Sequence, residues 1–192
     1  KNNGICGKDC VKIADGNITI KSEGDGIKSN NSEDTSKGYI YICGGKINIT
    51  STTDAIQAET TLTIEKGEIN LKTGGGSENS SKTSGGKDNP QWGKWGQEDS
   101  STTEEDTASA KGIKAGGDIK ISNATITADT SDDSIHSNSN VTIESGTFNL
   151  KSGDDGIHAD TSTVINNGNI VIEKSYEGIE GSNVTINGGT IE

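Results

Sequence analysis

The chain has 192 residues, of which only 27% are hydrophobic and 3% aromatic, with 27 glycines and a single proline. For a compact globule that composition points toward disorder, so any fold must get by on a thin apolar core. The formal net charge of −12, reached without one arginine, argues against nucleic acid or anionic lipid as a partner, because both need clustered cations to displace counterions. No run of about 20 apolar residues is present, so no membrane-spanning helix is expected. No signal peptide is recognisable, and for an exported protein it would lie outside this sequence.

In chain order the first elements follow Asn3-Gly4-Ile5: apolar residues at Val11 and Ile13, a glycine at Gly16, then Ile18 and Ile20. Spacing by two places side chains on one face of a strand, and the glycine marks a turn between two such strands. The opening phrase returns as Asp25-Gly26-Ile27, Asp54-Ala55-Ile56, Lys111-Gly112-Ile113, Asp133-Ser134-Ile135, Asp155-Gly156-Ile157 and Glu177-Gly178-Ile179. From Lys111 onward the interval is 22 residues each time. Behind the phrase the same apolar set recurs, as Leu62, Ile64, Ile69 and Leu71 or as Val141, Ile143, Phe148 and Leu150. Each repeat thus reads as one coil of three short strands that cannot bury its apolar face without a neighbour. The predicted fold is all-β, a parallel β-helix of about seven coils and on the order of 30 Å tall at the usual strand spacing. Crossover chirality makes the right-handed form the default.

Two departures from the period are informative. From Asp25 to Asp54 is 29 residues, and the excess falls in the polar stretch 30–37. From Asp54 to Lys111 is 57 residues, and the excess of 35 is the segment 74–108, rich in Gly, Ser, Thr and acids and holding Pro90, Trp92 and Trp95. A solenoid tolerates such an insert at a turn, so residues 1–192 are predicted to form one domain with a flexible polar insert. Trp92 and Trp95 are candidate sugar contacts at its tip. Cys6, Cys10 and Cys43 form an odd set without a CxxC pair; free thiols are the leading expectation, with an internal or an intermolecular bridge as alternatives. Five Asn-x-Thr triplets, beginning at Asn17, Asn48, Asn123, Asn140 and Asn183, match the glycosylation pattern but read first as outward strand positions.

In register, Asp133, Asp155 and Glu177 stand one above another at about 4.8 Å, with Asp132 and Asp154 beside them, while Asp25 and Asp54 form a lower group separated by Lys111. Bare carboxylates at that spacing repel. Calcium binds oxygen at about 2.3 to 2.6 Å, so an ion midway between rungs reaches a carboxylate on each. The candidate metal ligands are therefore Asp25, Asp54, Asp132, Asp133, Asp154, Asp155 and Glu177, with Lys111 a built-in counter-ion. One residue past each isoleucine runs an outward column of Lys28, Gln57, Lys114, His136, His158 and Glu180, a ladder of hydrogen-bonding groups suited to a ligand. Lys28, Lys114, His136, His158 and Glu180 are the candidate ligand-binding residues.

The phrases Ser131-Asp-Asp-Ser-Ile-His-Ser, Ser152-Gly-Asp-Asp-Gly-Ile-His-Ala-Asp and Lys174-Ser-Tyr-Glu-Gly-Ile-Glu-Gly, with Ser109-Ala-Lys-Gly-Ile-Lys-Ala after a tryptophan-containing insert, resemble a bacterial family of secreted carbohydrate-binding domains. The resemblance covers nearly the whole chain. It implies a polysaccharide-lyase-like right-handed β-helix, binding of cellulose or polygalacturonate, and calcium at the acidic turns, favouring Asp132, Asp133, Asp154, Asp155 and Glu177. The leading expectation is an extracellular, calcium-binding, non-catalytic polysaccharide-binding module. One alternative is a structural solenoid that stacks end to end into a filament or surface layer. Another is a pectate-lyase-like enzyme using Lys28, Lys111 or Lys114 as base near calcium.

Overall fold

The computed structural model describes residues 2–80 and 109–192. Pro90, Trp92 and Trp95 lie outside the described residues. The protein is all-β: apart from one 3-10 turn at Ser77–Asn79, the regular elements among the described residues are strands, and every strand pairing is parallel. They assemble into a 12-stranded and a 7-stranded sheet, a pairing pattern consistent with a parallel β solenoid.

Three stacks of strands follow the sequence repeat. The first is built from the isoleucine phrases: Ile5–Gly7, Ile27–Ser29, Ile56–Ala58, Ile113–Ala115, Ile135–Ser137, and the leading parts of Ile157–Ile165 and Ile179–Ile186. Its register runs Ile5, Ile27, Ile56, Ile113, Ile135, Ile157, Ile179 without a slip. The second stack comprises Cys10–Ile13, Tyr39–Ile42, Leu62–Ile64, Ile119–Ile121 and Asn140–Ile143, then joins the first because Ile157–Ile165 runs through both positions. The third is the separate sheet: Asn17–Ser22, Lys46–Ser51, Gly67–Thr73, Ala124–Thr130, Gly146–Ser152, Asn169–Lys174 and Thr190–Ile191.

The core is the inward alternate residue of each strand, since a pleated strand sends successive side chains to opposite faces. Ile27, Ile56, Ile113, Ile135 and Ile157 have no exposed surface, nor does Phe148, the largest fully buried side chain. Where the stack has no further strand among the described residues the same columns open to solvent, as at Val184 (44% exposed) and Ile186 (55%).

The turn before the third stack needs a positive φ, supplied by glycine at Gly16, Gly67, Gly146 and Gly168. One coil has Ala124 at that register position, paired with Gly67 and Gly146. There the positive φ moves back one residue to Asn123 (φ 46), a residue type that tolerates the left-handed region. Asn123 therefore stands in a turn, unlike Asn17, Asn48, Asn140 and Asn183, which lie on strands as expected.

The start of the long polar segment is held against the stack. Ser77 is buried, its N–H donates to Asp129 Oδ1 (2.7 Å), its carbonyl accepts from Lys174 Nζ (2.9 Å), and Ser80 Oγ donates to the Gly153 carbonyl (2.7 Å). Residues 74–80, the described start of the expected insert, thus lie along the strands of the third stack and its neighbours. Cys6, Cys10 and Cys43 are free, Cys6 exposed and the other two half-buried.

Candidate functional site

The turn that leads into the first stack carries the acidic column, and strand pairing fixes its vertical order. Four members with short polar side chains reach up one coil to the backbone. Asn3 Oδ1 accepts the Asp25 N–H (2.9 Å), Asp54 Oδ1 the Lys111 N–H (2.8 Å), Asp133 Oδ1 the Asp155 N–H (3.0 Å) and Asp155 Oδ1 the Glu177 N–H (3.1 Å). Asp25, Asp54, Asp133 and Asp155 are all buried, so these bonds satisfy carboxylate oxygens that are largely shielded from water.

The second oxygen of each carboxylate turns sideways toward the outward column. Asp25 Oδ2 lies 2.6 Å from Lys28 Nζ, Asp54 Oδ2 3.7 Å from Lys114 Nζ, Asp133 Oδ2 2.7 Å from His136 Nδ1 and Asp155 Oδ2 3.1 Å from His158 Nδ1. Lys111, the one cation within the acidic column, adds its ammonium at 2.8 Å from Asp132 and 2.7 Å from Asp133. The bare ladder expected from the sequence is therefore answered internally, by backbone amides on one side and by fixed cationic or imidazole groups on the other. Burial works against ionisation of Asp133, but the hydrogen bond from His136, the charge of Lys111 and the Asp155 amide outweigh it and hold the carboxyl well below the usual range. Lys111 mirrors this: burial disfavours its charge, yet Asp133 and Asp132 raise its pKa above the ordinary lysine value.

The outward column is in register from end to end: Cys6, Lys28, Gln57, Lys114, His136, His158, Glu180. Lys28 Nζ also donates to Gln57 Oε1 (2.6 Å). The rings of His136 and His158 stack with centroids 4.8 Å apart at 25°. His158 Nδ1 is 2.7 Å from Glu180 Oε2, and its Nε2 is 3.2 Å from Asp160 Oδ1. Burial lowers the basicity of His158, but Asp155, Glu180 and their neighbours overcome it and raise its pKa. Glu180 is pushed up, first by hydrogen bonding with Asp155 and then by burial.

Among the described residues three clusters bring ligand atoms within 4.8 Å of one another: Asp132, Asp133 and Asp154; Asp133, His136 and His158; and Asp155, His158 and Glu180. Only the first is built of carboxylates alone, the donor set a hard cation prefers. Two of its members, Asp132 and Asp133, already hold the Lys111 ammonium, with which a cation there would compete. The expected ligands divide accordingly. Asp155 belongs with the histidines, Glu177 is exposed, and Asp25 and Asp54 sit in a separate lower cleft of about 430 Å³ with Lys28, Gln57, Ser109 and Lys114. In that cleft Thr53 Oγ1 donates to Asp25 Oδ1 (2.6 Å) and Ser109 Oγ to Asp54 Oδ1 (2.8 Å), which leaves few free oxygen sites for a metal.

Thr53, Ser109, Asn138 and Asp160 were not anticipated. The last two stand two residues beyond His136 and His158 on the same outward face, so alternation alone marks them. Thr53 and Ser109 come from turns, Thr53 at the repeat position of Asp132 and Asp154 and Ser109 one period before Ser131.

A family model described as "Carbohydrate-binding domain-containing protein" matches residues 1–156. No curated protein and no solved structure matches the chain.

Proposed function

Since the chain belongs to the carbohydrate-binding domain-containing family, we propose that it is an extracellular, non-catalytic polysaccharide-binding module whose upper acidic turn takes calcium. The observation that carries this reading is the unbroken outward column Lys28, Gln57, Lys114, His136, His158, Glu180, strand upon strand. It offers a row of donors and acceptors at about 4.8 Å, a repeat near the length of one sugar residue. Beside it, Asp132, Asp133 and Asp154 supply three carboxylates from adjacent turns. Calcium bound there would replace the Lys111 ammonium with a divalent charge and keep open positions for an acidic glycan. The solenoid's right-handed path and its count of seven coils belong to the same proposal.

The pairing of the lysines supports a binding rather than a catalytic role. A base for β-elimination needs a lowered pKa, whereas Lys111 is raised and Lys28 and Lys114 each face a carboxylate. The test is retention on immobilised polygalacturonate and on cellulose, in calcium and in EDTA, with absorbance of unsaturated products followed in parallel. The expected result is retention that weakens in EDTA, without product. Retention equal in both buffers overturns the calcium role, product formation overturns the non-catalytic role, and no retention on any glycan overturns the binding reading.

A further inference from the structure

A second cleft lies on a different stack from the acidic turns. The strand Tyr39–Ile42 turns Ile40 (1% exposed) and Ile42 (0%) inward. Alternation then sends Tyr39 and Tyr41 outward, side by side on one face. The strand below pairs Lys12 with Tyr41 and Cys10 with Tyr39. Lys12, Ala14, Tyr39, Tyr41 and Cys43 line an open cleft of about 370 Å³.

Three features give this cleft a chemistry. First, two aromatic side chains are planted on a strand whose inward neighbours are locked in the core, so little rotamer freedom remains to be lost on binding. Tyr41 donates its hydroxyl to Glu65, and that bond, with burial and the Glu65 charge, raises its pKa to about 12, keeping the ring neutral and fixed in orientation. Second, Lys12 Nζ stands 5.4 Å from the centre of the Tyr39 ring. Third, among the described residues no carboxylate lies within 4.0 Å of that ammonium, whereas Lys28, Lys111 and Lys114 at the acidic turns are each engaged by one. On a chain of net charge −12, a polyanion is repelled broadly and held where a cation is still available.

We propose that Lys12, Tyr39 and Tyr41 form a subsite for one acidic sugar residue of a glycan, the ring's C–H face lying on the tyrosines and its carboxylate pairing with the Lys12 ammonium, without need of a metal ion. This rests on the carbohydrate-binding reading and adds a place and a ligand class to it. The subsite and the acidic turns are separate contacts, so a long glycan chain has two anchors of unlike chemistry.

The test measures affinity for an oligogalacturonate and for a neutral cello-oligosaccharide in EDTA, with wild type, Lys12→Met, Tyr39→Ala and Tyr41→Phe. All three positions face outward, and far-UV circular dichroism checks that the variants fold. Tyr39→Ala is expected to weaken oligogalacturonate binding tenfold or more. Lys12→Met should weaken oligogalacturonate binding and leave the neutral oligomer unaffected. In a Cys6→Ser/Cys10→Ser background, saturating oligogalacturonate should slow alkylation of Cys43. Wild-type binding that survives both Tyr39→Ala and Lys12→Met, with Cys43 unprotected, overturns the subsite and leaves the family reading intact. Loss of neutral and acidic ligands alike in Tyr39→Ala, with Lys12→Met silent, overturns the acidic class. Absence of wild-type oligogalacturonate binding in EDTA overturns the metal-free subsite, and absence of binding to any glycan in calcium as well overturns the reading on which it rests.

Discussion

Replacing Lys111 with methionine tests whether the protein's own ammonium neutralises the acidic turn. Methionine keeps the length of the stem and removes the charge. The Lys111 side chain is 13% exposed and faces Asp133 at 3% and Asp132 at 28%. Removing one partner of a fully buried pair costs about 3–5 kcal/mol. Here Asp133 keeps its bonds to His136 and the Asp155 N–H, and Asp132 is partly solvated, so a smaller loss, about 2–3 kcal/mol, applies. In EDTA the urea midpoint should fall by about 1–2 M for a typical slope. Exchange of the Asp155 amide, which donates to Asp133 Oδ1 at 3.0 Å, should accelerate with it, a local readout that holds even where a repeat array unfolds in parts. If calcium takes the place of the ammonium, a concentration a hundredfold above its dissociation constant should return about 2.7 kcal/mol, and the variant should bind calcium more tightly than wild type. A stability in EDTA within about 0.5 kcal/mol of wild type, with unchanged exchange at Asp155, would refute the counter-ion argument.

Phe148→Ala should cost about 3–5 kcal/mol, read from urea unfolding, because the ring is fully buried in the third stack and the neighbouring coils cannot close over the gap. Acid titration should show the Asp133 contribution intact above about pH 3.9, its unfolded value, and lost only as the pH falls through its lower folded pKa; Asp133→Asn should flatten that limb. His158 has the opposite sign. Its raised pKa means stability fully present below about pH 6.5 and lost as the pH rises through the higher folded value, so His158→Gln should remove a decline in melting temperature on the alkaline side. Gly146→Ala and Gly16→Ala separate backbone strain from collision. Both sites have positive φ, but a Cβ at 146 would stand 2.6 Å from the Ala124 carbonyl oxygen while one at 16 meets nothing within 4 Å. Thermal melts should show the loss at 146 exceeding the roughly 1 kcal/mol expected from strain alone at 16.

The repeat makes much of the architecture legible in the sequence. The isoleucine phrases, the paired apolar positions and the turn glycines are local signals, and stacking in register follows from their common period. The order of both polar columns was legible for the same reason, since a period sets which residues lie above one another. Other features required the third dimension. Carboxylates with the same motif do different things, because what each meets depends on its own coil and on both neighbouring coils: Asp54 meets the Lys111 amide and Ser109, while Asp133 meets Lys111, His136 and the Asp155 amide. Sequence spacing stacks charges but does not say which way a carboxylate turns, and that orientation converts a ladder of repulsion into one of hydrogen bonds. The Lys12–Tyr39–Tyr41 cleft was equally hidden. Its residues come from adjacent strands separated by the irregular stretch 30–37, where the period is broken and only strand pairing says who stands beside whom. The sequence alone therefore determined the coil, because burial of alternating apolar residues is a periodic property. The tertiary structure decided the chemistry of its faces, because hydrogen bonds and ion pairs depend on distances and directions that a period does not carry.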